Sequence, residues 1–126
     1  MNIRHFSIPE MPLSKNVWQR LHWAKRGRIK AEWERWVWGL VNEHPRMPRP
    51  IASVRCDVVV GWDKPGPLPD PQNLAGMAHE VIADGLVKAG IIADDSMDAR
   101  GVPQYEQGTT QVNRGNGATE IVLRWD

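Results

Sequence analysis

Six carboxylates crowd one stretch of the chain: Asp70, Glu80, Asp84, Asp94, Asp95 and Asp98. Magnesium takes hard oxygen ligands, usually one or two carboxylates completed by water and phosphate oxygens, and manganese suits the same donor set. Side chains from a loop, a helix and the turn beyond it can converge on one such ion. Phosphodiester cleavage fits that chemistry, because a bound metal generates hydroxide and stabilises charge on the transferring phosphoryl group. Each carboxylate also has a plainer reading. Asp70 precedes Pro71, the pairing of an N-cap with a proline in the first helical turn. Asp84 lies four residues before Lys88, the spacing of a surface helix ion pair, and adjacent aspartates such as Asp94-Asp95 suit a solvated turn.

A second group is basic and aromatic. Between Lys15 and Trp38 lie five of the seven tryptophans, interleaved with Lys25, Arg26, Arg28, Lys30 and Arg35. Cations neutralise phosphates and tryptophan stacks on bases, so this interleaving suits nucleic acid. Trp33 and Trp36 fall at helical spacing and read instead as core. Trp18 and Trp23, ahead of the periodic segment, are the better candidates for contact, with His22 between them a weaker one.

Charge divides along the chain in the same way. The formal net charge is only +1, but residues 1–50 carry ten Lys/Arg against four Asp/Glu, a net of +6, and residues 51–126 carry six against eleven, a net of −5. A basic and an acidic half can serve different tasks on one surface. Other chemistries are excluded. Cys56 stands alone, and the histidines at 5, 22, 44 and 79 have no paired spacing, so no zinc-finger ligand set exists. Gly115 and Gly117 lack the third glycine of a dinucleotide fingerprint, and no P-loop occurs, which argues against a nucleotide cofactor. No run approaches the ~18 apolar residues of a membrane span. Arg4, His5, Pro9 and Glu10 interrupt any signal-peptide core, so the expected location is the cytoplasm.

The elements that must hold these groups read as one domain over residues 1–126. Residues 2–8 read as a strand with Arg4, Phe6 and Ile8 on one face. Ile29, Trp33, Trp36, Val37, Leu40 and Val41 predict a helix over roughly 28–43. Val54, Cys56, Val58 and Val60 alternate in a strand at about 52–62, followed by a proline-rich loop. From Leu74 to Ala89 an apolar stripe predicts a second helix, with Gly90 at its C-terminal cap and Asn73, Glu80 and Asp84 along the other side. A strand through about 99–106, a turn cluster at 113–117 and an alternating strand from Thr119 to Trp125 complete the order β-α-β-α-β-β. That order suggests a small α/β (α+β) fold, with two main helices on one face of the sheet.

Asp70-Pro-Gln-Asn73-Leu, then Asp84-Gly-Leu-Val-Lys-Ala-Gly90, then Asp94-Asp95-Ser96 is similar to the signature of RusA-type Holliday junction resolvases. These are small homodimeric, magnesium-dependent endonucleases common in phages and prophages, with a mixed sheet. The resemblance implies paired symmetric nicks in four-way DNA junctions during recombination and repair, twofold protein symmetry supplying the two cuts. It assigns Asp70, Asp84 and Asp95 as catalytic, Asp94 as a further metal ligand and Asn73 as a neighbour of the site. Asn16, Arg20, His22, Lys25, Arg26, Arg28 and Lys30 would contact DNA. The chain departs from the signature at Gln72, where the family has a second aspartate, and at Gly76, where it has lysine. The Asn73-to-Asp84 interval is also about four residues longer than in the commonest members, which moves His79 or Glu80 toward the lysine position. Glu80 is therefore expected to supply the missing carboxylate, and His79 or Arg100 to stabilise the scissile phosphate.

Overall fold

The computed structural model describes residues 1–43, 46–93 and 103–126. Its elements are β1 (Asn2–Ile8), α1 (Lys15–Arg20), α2 (Trp23–Val41), β2 (Val54–Trp62), α3 (Pro71–Lys88), β3 (Tyr105–Arg114) and β4 (Thr119–Trp125). The strands form one mixed sheet in the order β1-β4-β2-β3. β4 is antiparallel to both β1 and β2, whereas β2 and β3 are parallel and joined by the α3 crossover. The fold is α+β, as the order of sequence patterns suggests.

Alternation decides which face of the sheet is covered. Val54, Cys56, Val58 and Val60 of β2, Ile121 and Leu123 of β4, and Phe6 and Ile8 of β1 are all buried in one cluster with Trp33, Val37, Met77, Val81 and Leu86 of the helices. Arg55, Asp57 and Arg124 lie on the opposite, open face. α3 is the central helix, and its buried residues run from Leu74 to Leu86. It ends in a Schellman arrangement: Ile91 N–H donates to Leu86 O at 3.0 Å and Gly90 N–H to Val87 O at 3.0 Å. Gly90 has φ 76°, a conformation that glycine adopts without the steric cost other residues carry.

Boundaries differ from the sequence pattern where a polar group sets them. α2 begins at Trp23 rather than near residue 28, because His22 Nδ1 accepts from Ala24 N–H and caps it. α1 is an additional short helix capped by Ser14, whose hydroxyl accepts from Val17 N–H. β3 extends from Tyr105 to Arg114, through Gln107-Gly108-Thr109-Thr110-Gln111, which has no apolar alternation to announce a strand. Residues 99–102, where the sequence places the start of that strand, lie outside the described residues. No helix among the described residues is long and apolar enough to cross a membrane.

Candidate functional site

Asp70 sits in the loop between β2 and α3 and caps the helix: its Oδ1 accepts from Gln72 N–H at 2.9 Å, with Pro71 opening the first turn. Asp70, Gln72, Asn73 and Gly76 are exposed, while Leu74, Ala75, Met77 and Ala78 point into the core. The start of α3 thus offers a solvent-facing polar edge with Asp70 as its acidic member. A Cβ on Gly76 would meet nothing within 4 Å, so this position has room for a long side chain but carries none.

Asp84 is not part of that edge. It lies fourteen residues along from Asp70, or ~21 Å at the helical rise of ~1.5 Å per residue. Two carboxylates that far apart in one chain cannot ligate one magnesium ion, whose oxygen ligands sit at ~2.1 Å. Asp84 Oδ2 instead accepts from Lys30 Nζ of α2 at 2.8 Å, so the sequence expectation of an Asp84–Lys88 pair also changes. Lys88 reaches Glu34 at 2.7 Å, one turn further along both helices. The two cross-helix pairs advance together, so α2 and α3 run in the same direction and begin at the same end of the helix layer. The Asp84 hydrogen bond raises the Lys30 pKa above its ordinary value, against the opposing effect of partial burial.

Glu80 is likewise engaged. Its Oε2 accepts from the indole N–H of Trp18 at 2.8 Å, and its Oε1 lies 4.0 Å from Lys30 Nζ. Trp18, read from sequence as a contact residue, is only 6 % exposed and acts as the wedge between α1 and α3. Arg26 lies over the Trp18 ring at 5.3 Å and donates to the carbonyls of Trp18 and Gln19. Trp18, Arg26, Lys30, Glu80 and Asp84 therefore form one network that clamps three helices. The glycine after Asp84 serves the same closeness: a Cβ on Gly85 would stand 2.9 Å from Val37 Cβ.

His79 is a core residue rather than a phosphate ligand. It is 4 % exposed, its Nδ1 lies 2.6 Å from Tyr105 Oη and its Nε2 3.3 Å from Thr110 Oγ1. One nitrogen donates and the other accepts, so a neutral ring satisfies both contacts. Burial pushes its pKa down to about 4, only partly opposed by the Asp57 charge. Desolvation also raises the nearby Cys56 thiol to about 12, which makes it inert as a nucleophile.

Of the predicted DNA contacts, Asn16, Arg20, Lys25 and Arg28 are exposed. His22 is exposed as well but spends Nδ1 on the α2 cap, its ring 5.3 Å from that of Trp23, which is 78 % exposed. Arg26 and Lys30 belong to the internal network instead. Among the described residues Arg20, Lys25 and Arg28 thus keep their charges without a partner, whereas Arg26 is held by α1 and Lys30 by α3.

One charged group has no sequence signal beyond being an aspartate in a valine-rich strand. Asp57 Oδ1 accepts from Thr109 N–H at 2.7 Å and Thr109 Oγ1 at 3.1 Å, while Asp57 also pairs with Arg55 and Arg124. Arg55 and Arg124 stand directly opposite each other on β2 and β4, and Asp57 offsets their repulsion. Burial alone would raise the Asp57 carboxyl, but the Thr109 hydrogen bonds and the two guanidinium groups together hold it below the usual carboxylate range. Gly108 leaves the space that Asp57 occupies, at the point where β3 carries one extra residue against β2.

Among the described residues, no three His, Cys, Asp or Glu side chains are grouped to hold a metal ion. Asp94, Asp95, Asp98 and Arg100 lie outside those residues. No protein-family model matches the chain, and no curated protein matches it.

Proposed function

We propose that the chain is a magnesium-dependent, structure-selective DNA endonuclease of the RusA type that resolves four-way junctions by paired nicks. Magnesium, or manganese in its place, would be held by Asp70 with Asp95 and Asp94. It would supply an activated water and stabilise charge on the phosphate under attack. Asn73 borders the same edge. Asp84 and Glu80, engaged by Lys30 and Trp18, serve the scaffold that positions it. Binding falls to the exposed Arg20, Lys25 and Arg28 with Trp23, and a homodimer supplies the second cut. The proposed setting is the cytoplasm of a bacterial cell carrying the encoding phage or prophage.

The observation that carries this reading is the shared direction of α2 and α3. It brings the exposed cations and tryptophan at the start of α2 to the same end of the layer as the exposed Asp70. Phosphates drawn to those cations would meet the Asp70 carboxylate, whose second oxygen is outside the cap and would bind metal. A second reading is favoured by Gln72, which leaves the first α3 turn without an acidic residue and Asp70 alone at its cap: the chain binds junctions and cuts them slowly or not at all.

Incubating a labelled four-way junction with magnesium, beside Asp70→Asn and Asp95→Asn, separates the two. Nicking by the wild type that both variants lose supports the enzyme. Binding that both variants retain, with no nicking by any of the three proteins, supports the binder. The wild type should also hold the junction more tightly with calcium present than with chelator, because the metal offsets the carboxylate charge; indifference to the ion would argue against a metal site at Asp70.

A further inference from the structure

The outward face of α2 carries a feature that the proposed metal site leaves unused. Arg28, Ala31, Arg35 and Trp38 recur at i, i+3, i+7 and i+10 and so share one side of the helix. With Gly39 and Lys88 they line an open recess of about 1000 Å³. Ala31 and Gly39 keep its floor low. Trp38 is 55 % exposed, a large aromatic side chain left half in water. Lys88 on the α3 side is held by Glu34, and its charge is therefore already offset. Arg28 and Arg35 are exposed and enter no hydrogen bond or ion pair among the described residues, in contrast to Arg26, Lys30 and Lys88. Glu32 on the rim is one acid against these two free cations, so the recess keeps a positive excess.

We propose that this recess binds a single unstacked nucleotide of a DNA strand, its base against the Trp38 indole and the strand's phosphates at Arg35 and Arg28. The assignment rests on the nucleic-acid-binding half of the reading above and is independent of cleavage. Seven residues separate the two arginines, or ~10 Å along the helix axis. Both side chains are long and exposed, so each can reach a phosphate of one strand running along the helix. Arg35 lies about one turn before Trp38 and Arg28 nearly three turns before it, so the cations lead a strand toward the indole, and an exposed indole accepts any unstacked base, such as a branch point exposes, because every base has a π face. An anionic peptide would satisfy the arginines but gain little from a flat tryptophan beside them.

The test is equilibrium binding of a fluorescently labelled oligothymidylate and of a blunt duplex, both in chelator so that no cleavage intrudes. Trp38→Ala should weaken single-strand binding by about tenfold or more and change duplex binding by about twofold or less, while Trp38→Phe keeps most of the single-strand affinity. Arg28→Gln with Arg35→Gln should flatten the log–log salt dependence of single-strand binding by about 1.4, two phosphates' share. Because these side chains are exposed, unchanged circular dichroism is expected in all variants. Single-strand affinity unaffected by Trp38→Ala, or a wild type that does not bind the oligonucleotide, overturns the proposal. Displacement of the oligonucleotide by a polyglutamate peptide at equal charge concentration overturns it in favour of a peptide site. If the Trp38 effect appears and no junction is ever nicked, the recess stands and the nuclease reading falls; nicking without a Trp38 effect gives the reverse.

Discussion

Lowering the pH should destabilise the fold through His79 before the Asp57 carboxylate responds. The folded imidazole titrates at about 4, whereas an unfolded histidine takes its proton near pH ~6.5. Between those values the unfolded state binds more protons, so stability rises with pH across that window and is level above it. Linkage between the two values gives a loss of ~2 kcal/mol at pH 5 relative to pH 7.5, and ~3 kcal/mol by pH 4. Asp57 is distinguishable because its carboxyl is held below the usual range, so its contribution is lost only at lower pH, as the folded form is protonated. Urea unfolding at pH 7.5 and pH 5, for the wild type and for His79→Gln, reads the effect directly. The variant loses the Tyr105 and Thr110 contacts and should be weaker at pH 7.5, yet lose ~2 kcal/mol less than the wild type on going to pH 5. Equal losses in the two proteins, or a His79 resonance titrating near the ordinary histidine value, would refute the reasoning.

Substitutions at three positions, Glu80, Gln72 and Gly85, test the division between scaffold and site. Glu80→Gln keeps an acceptor for the Trp18 indole and should change both stability and junction cleavage little, whereas Glu80→Ala should cost ~1–2 kcal/mol, discounted because the Glu80 side chain is 47 % exposed. Normal folding with cleavage abolished in Glu80→Gln would return Glu80 to the metal site. Gln72→Asp adds a carboxylate two residues from Asp70 on the same exposed turn, so its cleavage should saturate at lower magnesium; an unchanged magnesium titration would place the ion elsewhere. Gly85→Ala drives a methyl against Val37, and overpacking of ~1–3 kcal/mol opposes a helix-propensity gain of ~1 kcal/mol. Adding Val37→Ala should recover part of the loss in a double-mutant cycle, and strict additivity of the two changes would contradict the contact.

The parts of the fold written in apolar periodicity are legible in the sequence. Val54 to Val60 and Thr119 to Trp125 alternate because one face is covered, and the stripe from Leu74 to Ala89 is α3. Asp70-Pro71 reads correctly as a cap and Gly90 as a helix end. What alternation cannot reveal is β3, an edge strand built of Gln, Gly and Thr whose partner is set by the parallel crossover. The candidate site is less legible, because charge type is visible in a sequence and pairing is not. Lys30 and Asp84, fifty-four residues apart, read as a phosphate ligand and a metal ligand until the helix packing joins them. Glu80 and Trp18 change roles for the same reason, and His79 moves to the core because Tyr105 and Thr110 supply it with polar partners there.

The most direct test of the central claim is cleavage of a four-way junction whose strands are labelled in turn, with magnesium or with chelator. A junction-resolving endonuclease predicts magnesium-dependent nicks at symmetric positions on two opposing strands, abolished by Asp70→Asn in a protein that still binds the junction. Tight junction binding with all four strands intact in magnesium and in manganese would contradict it.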